Sequence, residues 1–254
     1  VILGEGSQCS IIERHISFGA ERSLSNSLTE IILDKNATLN YCCAQDQAER
    51  TFHVGGLFAR LAHSAKLKAT TVTVGKAWVR NDARVDLDAE GAHANLDGAY
   101  LAFGRCHVDN HTHISHNAPE CTSRECYKGV LGDRGHAVFH GRIVVQPNAQ
   151  KTDSEQSNQN LLLSADAQID TKPQLEIYAD DVKCAHGATV GQMDEAALFY
   201  LVSRGVDRET ARRMLTQAFA AEILETVTPP ALQSYLASHV SGRLSPAVPP
   251  GAAA

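Results

Sequence analysis

The sequence predicts a mainly β chain followed by a small C-terminal α-helical unit. Three observations carry this: short period-2 hydrophobic runs from about residue 10 to 190, turn residues between them, and a switch to helical periodicity near Asp194. In residues 137–145, Ala137, Phe139, Ile143 and Val145 share one face while His140 and Arg142 take the other, as in a strand buried on one side. The same alternation marks Val72, Val74 and Trp78, sets Val85 and Leu87 against Arg84, Asp86 and Asp88, and recurs at Leu101 and Phe103 and at Leu175 and Ile177. Gly55-Gly56, Asn81-Asp82, Gly91, Asp97-Gly98, Asp133-Arg134-Gly135 and Pro147-Asn148 are the expected turns. Their spacing suits a sandwich, a barrel or a β-solenoid. Periodicity leaves all three open, and no exact hexapeptide or nonapeptide repeat singles out the solenoid.

After the strands, Asp194 is expected to cap a helix over 195–202, with Gly205 as its left-handed stop. Asp207 caps a second helix with Ala211, Met214, Leu215, Ala218, Phe219, Ile223 and Val227 on one side, so the pair forms a hairpin. A third short helix follows Pro229-Pro230, with Leu232, Tyr235, Leu236 and Val240 as its apolar stripe. The expected domains are a β core over 1–192, a helical domain over 193–243 and a disordered tail over 244–254 that has little to bury.

With 254 residues, 43% hydrophobic and 20% charged side chains and a formal net charge of -6, the chain can bury a sizeable core and offers no basic patch for nucleic acid. No apolar stretch reaches the length needed to cross a bilayer, and the opening Val1-Ile2-Leu3-Gly4-Glu5-Gly6 lacks the cationic head and long apolar run of a secretory signal. A soluble, cytoplasmic protein without nucleic-acid or membrane partners is expected. The chain opens on a strand-like pattern without Met, so an amino-terminal region is expected to be missing. Seven cysteines (Cys9, Cys42, Cys43, Cys106, Cys121, Cys126 and Cys184), odd in number and without C-x-x-C spacing, argue for reduced, mostly buried thiols over a disulfide framework or zinc ribbon.

The densest group of possible ligands is Cys106-His107-Val108-Asp109-Asn110-His111-Thr112-His113-Ile114-Ser115-His116, with Cys121 and Cys126 after it. On a strand, Val108 and Ile114 take one face and His107, Asp109, His111 and His113 the other. Imidazoles two apart can chelate zinc or iron, and a stand-alone zinc enzyme built on His107, His111 and His113 is one reading. A row of histidines hydrogen-bonded along stacked strands explains the pattern as well, and weighs more because the spacing matches no specific motif. In Lys183-Cys184-Ala185-His186-Gly187-Ala188-Thr189, Cys184 and His186 share one side of an extended segment, and a thiolate beside an imidazole suits a soft or borderline metal. Val182, Ala188 and Val190 share that parity, so a buried Cys and a hydrogen-bonded core His stay open as the alternative. Two ligands do not complete a site, and the rest must come from elsewhere or from a partner chain. Asp86 and Asp88 suggest the carboxylate pair of a polysaccharide lyase or hydrolase, although alternating Asp on a strand is more often a solvated face. The chain contains no G-x-x-x-x-G-K-[ST], no G-x-G-x-x-G at a strand-to-helix junction, no H-E-x-x-H and no G-x-S-x-G.

The run Thr171-Lys172-Pro173-Gln174-Leu175-Glu176-Ile177-Tyr178-Ala179-Asp180-Asp181-Val182-Lys183-Cys184-Ala185-His186-Gly187-Ala188-Thr189-Val190-Gly191 closely resembles the end of the core domain in the SufB/SufD family of iron-sulfur cluster assembly scaffolds. Residues 198–206 and 218–222 resemble the helical domain that follows it. Asp109-Asn110-His111-Thr112-His113, Ala137-Val138-Phe139-His140-Gly141 and Lys151-Thr152-Asp153 extend the similarity over nearly the whole chain. The resemblance implies a right-handed parallel β-helix core with a C-terminal helical domain. It also implies a non-catalytic scaffold that pairs with a B-type (SufB) scaffold through the β-helices and recruits a SufC-type ABC ATPase through the helical domain, with Phe199, Tyr200, Arg204 and Gly205 as the docking region. A homodimer is a further possibility when the B-type partner is absent.

By the same implication, iron or a nascent iron-sulfur cluster is held transiently at the shared interface, and none is bound tightly by this chain alone. Where the B-type branch carries Glu-His-Glu this sequence reads Ala185-His186-Gly187, and Ser157-Asn158-Gln159-Asn160 has no thiol where that branch is expected to offer an essential cysteine. The chain therefore resembles the D-type branch. His186 is its implied contribution to the shared site, with Cys184 as the weaker candidate metal ligand. A β-helix polysaccharide-processing enzyme, with outward Asp and His residues as catalysts, is the alternative on the same fold.

Overall fold

Strands of this chain alternate between two sheets, one strand to each sheet per turn. The computed structural model describes residues 1–19, 21–74, 78–225, 227 and 229–244. The first sheet holds β1 (Ile2–Leu3), β3 (Ser23–Leu33), β5 (Thr51–Leu61), β7 (Trp78–Leu87), β9 (His107–His116), β11 (His136–Val145) and β13 (Gln168–Ile177), in that spatial order. The second holds β2 (Gln8–Ile16), β4 (Thr38–Asp46), β6 (Lys66–Thr73), β8 (His93–Ala102), β10 (Thr122–Leu131), β12 (Asp153–Leu162) and β14 (Lys183–Gln192). All neighbours are parallel, as in β9 to β11 and β12 to β14, and the result is a parallel β-solenoid of about six turns. Of the three architectures left open by periodicity, the solenoid is the one formed.

Stacking places like on like. Ile31, Ala59, Val85, Ile114, Ile143 and Leu175 fall in one register column of the first sheet and fill the interior. Parallel sheets bury both faces when something covers the outside, and here the second sheet is covered by helices. Cys42, Ala44, Val72, Val74, Ala99, Leu101 and Val130 pack outward against Ala220, Ile223, Leu224, Leu232, Leu236 and Val240. Two expectations therefore change. Val72, Val74, Leu101 and Phe103 belong to this outer layer and not to the solenoid interior, and Trp78 and Ile177 are partly exposed.

Three expected turns also lie inside strands: Gly55-Gly56 in β5, Asn81-Asp82 in β7 and Asp97-Gly98 in β8. The interior explains them. A Cβ on Gly98 would stand 2.2 Å from the Tyr127 ring, so the glycine makes room for a core aromatic. Asn81 bonds inward, accepting from Gln45 Nε2 at 2.7 Å and donating to Asn110 Oδ1 at 3.0 Å.

The helices are α1 (Glu195–Ser203), α2 (Arg208–Leu224) and α3 (Pro230–Leu244). Asp194 caps α1 by accepting from the amides of Ala196 and Ala197 at 2.8 and 3.2 Å, and Asp207 caps α2 by accepting from the Thr210 amide at 2.9 Å. Gly205 has φ +89°, the left-handed conformation that lets the chain turn between them. Pro230 opens α3, where its missing N–H is not needed. On α2 the buried residues are Ala211, Thr216, Ala220, Ile223 and Leu224, while Met214 and Ala218 are exposed. The expected single stripe fails because α2 packs against α1, α3, β8 and β10 at once. Leu244 closes α3, and the rest of the expected disordered tail, residues 245–254, lies outside the described residues. Among the described residues no helix is long and apolar enough to cross a membrane.

Candidate functional site

The solenoid ends on an open rung. β14 pairs with β12 on one side, and among the described residues no strand lies on the other. Ser154, Gln156, Asn158 and Asn160 of β12 point inward and are buried. Their register partners on β14 are Cys184, His186, Ala188 and Val190. These continue the inward columns, and among the described residues no strand stacks above them. Cys184 is half-buried against the interior core, and His186, two residues on and on the same face, is exposed. Burial is the main cause that raises the Cys184 thiol above its ordinary range, which disfavours a free thiolate.

Below Cys184 and His186 run two polar columns that sequence reasoning missed. In one, His116 Nε2 lies 2.9 Å from Ser123 Oγ, which lies 2.8 Å from Ser154 Oγ, and Cys184 is the next rung. Burial pushes His116 down to about 4, so its ring is neutral. In the other, Gln156 Nε2 donates to Glu125 Oε2 at 2.6 Å, and His186 is the next rung. Burial pushes the Glu125 carboxyl up to about 7. A third group joins them: Asn160 Nδ2 donates to Asn158 Oδ1 at 2.7 Å, and Asn158 Nδ2 to the Tyr100 hydroxyl at 3.2 Å. The available signal was parity, since Glu125, Gln156, Asn158 and Asn160 sit at inward positions where apolar residues are the rule.

The second candidate set lies just beyond β14, across Met193 and Asp194. Phe199 is 73% exposed and Tyr200 57% exposed on α1, and the Arg204 guanidinium stands 5.3 Å from the centre of the Tyr200 ring. Gly205 follows Arg204 at the turn that ends α1. Large exposed aromatics on a short capped helix are the kind of surface that partners bury.

The histidines of β9 do not converge. His107 stacks on Trp78 at 5.6 Å and meets His136 edge-on at 4.9 Å. His111 lies 3.0 Å from Asp109 Oδ1 and 5.0 Å from the His140 ring, and His113 lies 2.9 Å from Ser115 Oγ. Each has its own partners along or across the stacked strands. Among the described residues no three His, Cys, Asp or Glu side chains are grouped to hold a metal ion. Asp86 faces Arg84 at 3.4 Å and Asp88 faces Arg60 at 2.9 Å, so the two carboxylates act as separate ion-pair partners.

Residues 1–219 match the family model described as SUF system FeS cluster assembly, SufBD core domain. The chain is similar to the iron-sulfur cluster assembly protein SufD of Escherichia coli, 35% identical over 242 residues, which covers 95% of this chain and 57% of that protein. It is 33% identical over 219 residues to an iron-sulfur cluster assembly SufBD family protein of Synechocystis, covering 86% of this chain and 48% of the relative. It is also 30% identical over 246 residues to the chloroplastic protein ABCI7 of Arabidopsis thaliana, covering 96% and 52%. The chain thus spans about half the length of the relatives it matches.

Proposed function

Since the chain belongs to the SufBD core family of the SUF iron-sulfur cluster assembly system, we propose that it is a non-catalytic D-type scaffold subunit whose open solenoid end pairs with a B-type scaffold. Iron or a nascent cluster is cargo at that junction, and this chain contributes His186, with Cys184 as a weaker donor. The observation that carries the reading is β14. An unpaired edge strand is a ready template for another chain, and this one bears inward-facing residues that, among the described residues, no further turn of the solenoid covers. A partner strand there would bury the rung and bring in the ligands that two residues cannot supply. His186 suits the role because a neutral imidazole binds iron through either ring nitrogen.

The α1 surface is the proposed dock for an ABC-type ATPase. Phe199 and Tyr200 supply the apolar anchors, and Arg204 holds the Tyr200 ring from one side. α2 and α3 rest on the second sheet, so force applied at α1 would be carried into the turns that end at β14. We place this work in the cytoplasm, since all seven cysteines are free thiols suited to a reducing compartment.

The test is cluster assembly by the reconstituted scaffold pair with its ATPase, comparing His186→Ala with the unaltered chain. The complex is expected to form in both, with a clear fall in cluster yield for the variant. Equal yield removes His186 from the mechanism.

A further inference from the structure

Gln156 is 1% exposed, and by giving its amide N–H to Glu125 it leaves its carbonyl oxygen Oε1 buried with no hydrogen-bond partner among the described residues. A buried acceptor without a donor is costly to leave unmade, so a donor is to be sought within its reach. The next rung of the same column, in register with Gln156, is His186. Adjacent strands stand about 4.8 Å apart, within hydrogen-bond reach of two such side chains. The neighbouring column makes no such demand on Cys184, because the Ser123 and Ser154 hydroxyls already pair with each other.

We propose that Gln156, itself oriented by Glu125, is the positioning residue for His186. The ring nitrogen facing the solenoid interior donates its N–H to Gln156 Oε1, which fixes one tautomer and directs the lone pair of the other nitrogen out of the open end. Gln156 touches no cargo. It decides which nitrogen is bare and where it points, the task that carbonyl and carboxylate partners perform behind metal-binding imidazoles. This rests on the reading of His186 as the chain's donor to a shared site, and it explains how a ring on an exposed edge strand would be held ready for a partner.

Histidine-selective 15N labelling of the intact metal-free protein at about pH 8.5, where imidazoles are neutral, reads the tautomer directly, with His186→Ala identifying the signals. Two well separated ring-nitrogen shifts are expected for His186, one protonated and one bare. In Gln156→Leu they converge toward the averaged values of a ring exchanging between tautomers. In the exchanged pair Gln156→Glu with Glu125→Gln, which keeps an acceptor oxygen in place beside an amide donor, the separation returns. Averaged shifts in the unaltered protein overturn the proposal without any variant, and so does a separation that survives Gln156→Leu in a folded protein. The measurement involves neither metal nor cluster, so its failure is distinct from an unchanged cluster yield in His186→Ala, which would remove the shared-site reading and leave the tautomer result standing.

Discussion

The ammonium group of Lys128 in β10 meets the carboxylate of Glu222 in α2 and stands 4.9 Å from the centre of the Phe219 ring, so one cation, 4% exposed at its side chain, pins the helices to the second sheet. Removing the carboxylate leaves that cation buried and unpaired. Glu222 is itself largely exposed, which tempers the loss through solvent screening. Glu222→Gln is expected to destabilise the fold by about 1–3 kcal/mol, and Lys128→Met, which fills the same space without charge, by less. Urea denaturation of both variants checks the order, and a larger loss for Lys128→Met contradicts it.

Glu125 should tie stability to pH. Its carboxyl titrates at about 7 in the fold against an ordinary value of 4.5, because burial disfavours the charged form. The folded state therefore holds a proton that the unfolded state has lost between these values. Stability from this group is complete below 4.5, falls as pH rises toward 7, and then levels off. At about 1.4 kcal/mol per unit the loss is on the order of 3 kcal/mol. Glu125→Gln has no such group to ionise, so its stability relative to the unaltered protein is expected to rise between pH 4.5 and 8. Parallel pH profiles would refute the assignment. His116 and His53 slope the other way, since burial lowers both to about 4 and stability falls with acid below 6.5.

Gly98 is the tightest interior test of the solenoid. Its missing Cβ leaves room for the Tyr127 ring, and Gly98→Val is expected to cost about 3 kcal/mol or more by overpacking. Denaturant titration measures this. A near-neutral result would mean that β8 and β10 do not stack in this register.

Much of this was legible beforehand, and the failures share one cause. The caps at Asp194 and Asp207 and the inward faces of β7 and β11 follow from local chemistry and parity, which sequence displays. The repeat was hidden because stacked residues preserve side and burial without preserving identity. In the interior column the step between turns varies from 26 positions (Ala59 to Val85) to 32 (Ile143 to Leu175), which defeats a fixed-period search. Gly55 and Gly98 look like turn formers because glycine serves both to bend a chain and to admit a neighbour's side chain. Cys184 and His186 were visible as a pair, whereas Glu125 and Gln156 gained meaning only when register stacked them beneath.

The α1 surface carries its own expectation. Phe199→Asp with Tyr200→Asp should weaken binding of the ABC ATPase at least tenfold, about 1.4 kcal/mol, and leave the fold intact because both side chains are exposed. Calorimetric titration of the ATPase measures the affinity, and circular dichroism the fold. Unchanged affinity would move the dock elsewhere.

The claim on which the account depends is that another chain completes the solenoid at β14. Hydrogen-deuterium exchange of the protein, with and without a B-type scaffold, addresses it at the backbone. The account predicts that amides of residues 183–192 become strongly protected when the partner is added, as an edge strand acquires a neighbour. Protection confined to other strands, with β14 exchanging as fast as before, would contradict it.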